Sequence, residues 1–138
     1  VSHLKSLCIV VLLVVFVKST AQDQLFFDPD VPTKCAMIKE GTFVSNIYPS
    51  SEWTMTVHKE IQTELYDNGK KFVKIIQHFN DANPCQYELV VLEDADPDNG
   101  ISPGDHFVNT IIATQGDLIQ LKSESKDKGV ILVLKKIK

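Results

Sequence analysis

The sequence predicts an all-β fold, an antiparallel β-sandwich, on three observations. Its apolar runs are mostly too short for helices, turn signals rich in Gly, Pro and Asn recur between them, and several runs alternate apolar and polar residues at the period of a half-buried strand. Counting the runs gives roughly seven to nine strands. The run Cys85-Gln86-Tyr87-Glu88-Leu89-Val90-Val91-Leu92-Glu93-Asp94 organises the rest. Leu89 and Val91 fall on one face and Val90 and Leu92 on the other, so the pattern predicts a middle strand buried on both sides.

The chain opens on an apolar stretch from Leu7 to Val17, with Lys5 ahead of it and the small residues Ser19-Thr20-Ala21 behind. That order predicts a secretory signal over residues 1–21, cut near Ala21-Gln22. The competing reading is a membrane helix, but the apolar core is short for about 30 Å of hydrocarbon, and polar sequence follows at once. Cleavage would leave no membrane span. It would also remove Lys5, Lys18 and no acid, which takes the formal charge from −4 to −6.

Gln22 to Lys34 is a polar arm with Pro29 and Pro32 around a small apolar patch and no sustained period. The domain then runs over residues 35–138. Gly41 to Ser45 is a short strand, broken by Tyr48-Pro49-Ser50-Ser51. Trp53, Met55, Val57 and Ile61 recur at even spacing, as in a half-buried strand. Asp67-Asn68-Gly69-Lys70 is the clearest turn, because Asn-Gly readily takes positive φ, and it predicts a hairpin between Glu64-Leu65-Tyr66 and Phe72 to Ile76. A helix over His58 to Tyr66 also fits the spacing of Glu60, Ile61, Glu64 and Leu65.

After the organising strand, Glu93 to His106 is an acidic loop. It fails the register of a helix-loop-helix calcium site: with Gly100 in the sixth position, Ala95 and Pro97 occupy the first and third, and neither donates an acidic oxygen. Phe107 to Thr114 and Leu118 to Leu121 are strands about the turn Gly116-Asp117, and Gly129 to Leu134 is a closing strand apolar on both faces.

The chain is acidic and holds no arginine, the side chain best suited to phosphate and guanine, which argues against nucleic acid as a partner. Past the predicted cleavage it keeps Cys35 and Cys85, which an oxidising route can join or leave as thiols. A bridge would constrain the unfolded chain by roughly 4 kcal/mol. The catalytic inventory is thin. His58, His78 and His106 lie far apart, and there is no Gly-x-Ser-x-Gly elbow or Gly-rich phosphate loop, so the expectation is a protein that is not an enzyme.

Four stretches, in order, resemble CUB domains. Cys85-x-Tyr87-Glu88-x-Val90-x-Leu92-x-Asp94 is similar to the family's Cys-x-Tyr-Asp-x-Leu-x-Val-x-Asp. Gly41-x-Phe43-x-Ser45-x-x-Tyr48-Pro49, Trp53-x-Met55-x-Val57, and Leu121-x-Ser123-Glu124 with Ser125 and Gly129-Val130 follow the family's other signatures. The resemblance implies a CUB-like jelly roll of the spermadhesin, single-domain kind. Cys35 and Cys85 then stand as the family's first and third cysteines. Ser51 replaces the second and the fourth has no counterpart, so the family's pairing does not carry over.

The resemblance also implies a calcium site, with Glu88 and Glu124 at two of the family's three acids and Asp81 beside the third, which falls on Ala82. Its implied function is a secreted, non-catalytic binder of an extracellular protein or glycan, acting through loops at one end of the sandwich. The residues expected to touch that partner are Tyr48, Tyr66, Asp94, Asp96 and Asp98. The alternative is a carrier of a small ligand, a lipid or an amine, in a closed barrel of lipocalin-like type.

Overall fold

The structure is a computed structural model that describes residues 26–126 and 128–138. The predicted signal peptide, residues 1–21, and the first part of the arm lie outside the described residues. Within them, a short 3-10 helix (Cys35–Lys39) is followed by eight strands: β1 (Gly41–Ser45), β2 (Trp53–His58), β3 (Ile61–Tyr66), β4 (Lys71–Asn80), β5 (Asn83–Asp94), β6 (His106–Gln115), β7 (Leu118–Ser125) and β8 (Lys128–Lys136). Each pairs antiparallel with the next, and β1 pairs with β8 through Phe43↔Lys136, Val44↔Lys135 and Ser45↔Leu134. The sheet is therefore one closed, up-and-down barrel.

This corrects the sandwich, and with it the jelly roll that the CUB resemblance implies. A sandwich needs a second sheet over the outer face of β5, and here the outer face has none. Leu89 and Val91 are buried, Val90 is half-buried and Leu92 is 48% exposed. A barrel and a sandwich ask the same alternation of a strand, so the period alone does not separate them. Closure also needs curvature, and register shifts between Lys74 and Ile75, Phe79 and Asn80, and Ile111 and Ala113 supply local bends.

The even-spaced run from Trp53 to Ile61 is two strands rather than one. Lys59 and Glu60 turn the chain at φ 49° and 70°, and the continuation is β3, not a helix. The hairpin at Asp67–Lys70 forms as expected, with Tyr66↔Lys71 as the last pair and positive φ at Asp67, Asn68 and Gly69.

The topology sorts the connections between two ends. One end carries the tight β2–β3, β4–β5 and β6–β7 turns and the 3-10 helix, which closes the barrel floor with Ile38 fully buried. Cys35 is bridged to Cys85 across 50 residues, with Cα atoms 5.0 Å apart. Gln77 Nε2 and Lys136 Nζ donate to the carbonyls of Ile38 and Met37, at 3.3 and 3.1 Å. Gly41 sits at this floor with φ +130°, where a Cβ would collide with the Lys138 carbonyl, so closure of β1 against the chain's last residues needs glycine here. The other end carries the longer connections 46–52 and 95–105, together with 67–70.

Candidate functional site

Eight strands enclose an interior just wide enough to be filled by side chains or to hold one small ligand. Here the inward faces leave a cavity of about 70 Å³. Much of its wall is apolar: Met55 on β2, Ile75 on β4, Leu89 on β5, Leu121 on β7 and Leu132 on β8. Trp53, Tyr87 and Phe107 add aromatic surface. Ile101 is the exception in origin, because it reaches the cavity from the 95–105 loop and not from a strand.

Against this apolar wall stands a short polar seam. β3 turns Gln62 and Glu64 inward, in phase with Tyr66, while its partner β4 brings Gln77 in phase with Val73 and Ile75. Trp53 Nε1 donates to Glu64 Oε1 at 3.1 Å, Gln62 Nε2 donates to Glu64 Oε2 at 3.0 Å, and Gln77 Nε2 donates to Gln62 Oε1 at 3.2 Å. The seam thus runs from the 3-10 helix carbonyl of Ile38 up to the carboxyl beside the cavity. Across the barrel, Asn109 Nδ2 donates to the Tyr87 hydroxyl at 3.1 Å. Full burial holds the Tyr87 hydroxyl well above the usual phenol range, with Asn109 opposing that shift and Glu64 adding to it, so Tyr87 stays neutral.

At the loop end, a second network fastens the 95–105 connection. Tyr66 donates to Asp96 Oδ2 at 3.2 Å and accepts from Asn99 Nδ2 at 3.1 Å, and Asn99 Nδ2 also donates to Asp94 Oδ1 at 2.9 Å. Lys71 Nζ lies 3.5 Å from Asp96 Oδ2. Burial, opposed by hydrogen bonds from Asp96 and Asn99, raises the Asp94 carboxyl above its ordinary range.

The residues singled out from the sequence for partner binding fall into this network and around it. Tyr66 and Asp96 are buried, with their polar atoms turned into the loop network. Tyr48 and Asp94 are half-buried, and Asp98 is exposed. The three acids aligned with a calcium site are spread apart. Glu88 and Glu124 both lie opposite Val108, on either side of β6, while Asp81 lies in the β4–β5 turn at the floor. Glu88 pairs with His106 at 3.1 Å and Glu124 with Lys122 at 3.6 Å. Among the described residues, no group of three or more His, Cys, Asp or Glu could hold a metal ion.

Glu64, Gln62 and Asn109 are not among the site residues that the sequence points to, although a signal exists for Asn109. Asn109 is in step with Phe107 and Ile111, and Ser123 with Ile119 and Leu121, so each is a polar residue in the inward phase of an apolar strand. Compared with protein families, with curated proteins and with solved structures, the chain matches none of them.

Proposed function

We propose that the chain is a secreted, non-catalytic carrier that holds one small ligand inside its barrel. The observation that carries this reading is the internal cavity of a closed eight-stranded sheet, walled mostly by apolar side chains with a few polar groups converging on it. Export is supported by the leading apolar stretch with its small-residue end, and by the Cys35–Cys85 bridge, which suits an oxidising compartment.

Recognition of an extracellular protein or glycan through the loops has less support. Tyr66 and Asp96, two of the side chains it would use, are buried and spent on holding the 95–105 loop. Native mass spectrometry of the purified protein, before and after extraction with organic solvent, tests the carrier reading. It predicts a one-to-one adduct that extraction removes and that a small apolar compound restores. An unchanged mass, with no added compound retained, would contradict it.

A further inference from the structure

Resting on the carrier reading, the polar side chains of the cavity wall narrow the ligand. We infer that it is a neutral alcohol, a hydroxyl on a short apolar body, held by Tyr87, Asn109 and Ser123. These three stand side by side on β5, β6 and β7: Asn109 pairs with Tyr87 on one flank and with Ser123 on the other, and all three are buried and line the cavity. Directly opposed residues bring their Cβ atoms to within about 5 Å of each other. Leu89 and Phe107 border this row on one side and Leu121 on the other, so it is a polar strip in an apolar wall.

The strip lacks both a donor and an acceptor. Asn109, 5% exposed, spends Nδ2 on the Tyr87 hydroxyl, while no donor among the described residues, Ser123 included, reaches its Oδ1. A buried acceptor left in that state is costly, and a donor on a ligand relieves the cost. The Tyr87 hydroxyl accepts from Asn109 and donates to no group among the described residues, and Ser123 adds a second O–H. Those protons ask for an acceptor. A hydroxyl supplies donor and acceptor from a single heavy atom.

Nothing in the strip calls for charge. Its three side chains are neutral, and the wall has no lysine, arginine or histidine to pair an anion. Glu64, the single acid of the wall, already accepts from Trp53 and Gln62. A charged head would give up its hydration for neutral partners, which costs far more than burying a hydroxyl that is fully bonded. Volume sets the size: the cavity is about 70 Å³, roughly half of the ~150 Å³ that holds a benzene ring, so a short-chain alcohol fits.

Trp53 is the chain's sole tryptophan and lies on the cavity wall, so its emission reports occupancy. The test titrates the intact protein with 1-butanol, methyl propyl ether and n-pentane, equal in heavy atoms, whose polar atom donates and accepts, only accepts, or is absent. n-Butylammonium and propionate, of the same heavy-atom number, supply the two charges. 1-Butanol is expected to bind about ten-fold tighter than the ether, and tighter than either ion. Asn109→Leu should abolish the preference for the alcohol over the ether while n-pentane still binds, which also shows that the barrel remains intact. Ser123→Ala, a milder change, should narrow the same preference, and it decides the matter if Asn109→Leu does not fold.

Equal or tighter binding of the ether, n-pentane or either ion in the unaltered protein would overturn the alcohol inference and leave the carrier reading standing. So would a preference for 1-butanol that survives Asn109→Leu, or one that Ser123→Ala leaves unchanged. If none of the compounds alters Trp53 emission and none is retained in the native mass spectrum, both readings fall.

Discussion

The two ends of the barrel are closed by different chemistry. At the floor, a 3-10 helix is tied by a disulfide, by the buried Ile38, and by side chains of β4 and β8 that hold its carbonyls. Phe79 adds to this end, its ring stacked on Tyr87 with centroids 4.7 Å apart and Lys39 Nζ lying 4.6 Å from the Phe79 ring centroid. At the opposite end, the 95–105 loop lays one apolar side chain, Ile101, against the cavity, and hydrogen bonds among Tyr66, Asp94, Asp96 and Asn99 hold it there. A covalent bridge constrains the floor even in the unfolded chain, whereas a polar network can exchange its bonds for water one at a time. On the carrier reading proposed above, the difference makes the loop end the natural entrance.

Removing the bridge attacks this contrast most directly. Cys35→Ser with Cys85→Ser, which frees a 50-residue loop, is expected to lower unfolding free energy by about 4 kcal/mol in denaturant titrations. A loss well under 1 kcal/mol would mean that the floor is held by packing alone. At the other end, Tyr66→Phe removes the hydroxyl that accepts from Asn99 and donates to Asp96, leaving buried partners short of a bond. The expected cost is about 2 kcal/mol, felt locally. Hydrogen exchange should show the Ile101 amide, which donates to Asn99 Oδ1, exchanging faster, while the 3-10 helix is unchanged. Equal acceleration at both ends would dissolve the distinction.

Acid should separate the ends with a smaller effect and opposite signs. At the floor, the Lys59 amide and the His58 side chain donate to Glu40 and hold its carboxyl below the ordinary 4.5. Its contribution to stability is present above that value and is lost as pH falls through the folded-state pKa. At the loop end, burial holds Asp94 above the ordinary 3.8. Its contribution is complete below 3.8 and is lost as pH rises through the raised folded-state pKa. Carboxyl NMR titration should therefore give midpoints displaced in opposite directions, downward for Glu40 and upward for Asp94. Displacement of both in the same direction would contradict the assignment.

Most of the strands were legible because period-two alternation survives whatever the sheet does globally. Trp53, Met55 and Val57, or Phe107, Asn109 and Ile111, mark an inward face in a barrel or a sandwich alike. The closure was not legible, since it depends on three pairs between Phe43–Ser45 and Leu134–Lys136 at opposite ends of the described domain. Val90 and Leu92 misled for a related reason: an apolar outer face reads as a buried one, yet Leu92 is half exposed.

The cavity was hidden by a bias in how inner faces are read. Gln62 and Glu64 occupy inward positions on β3 between outward Ile61, Thr63 and Leu65, so its apolar residues predict the wrong face. Tyr66 looks like an exposed contact in the sequence because its polar partners, Asp96 and Asn99, come some thirty residues later in the chain.

The central claim is that the interior of the barrel is open space that a ligand can reach and fill. Xenon, which enters apolar cavities, tests it without presuming any ligand. Crystals held under xenon pressure should show one xenon atom between Trp53 and Leu121. A barrel with no xenon inside, its space taken up by Trp53 and Phe107 collapsed against Leu121, would contradict the account.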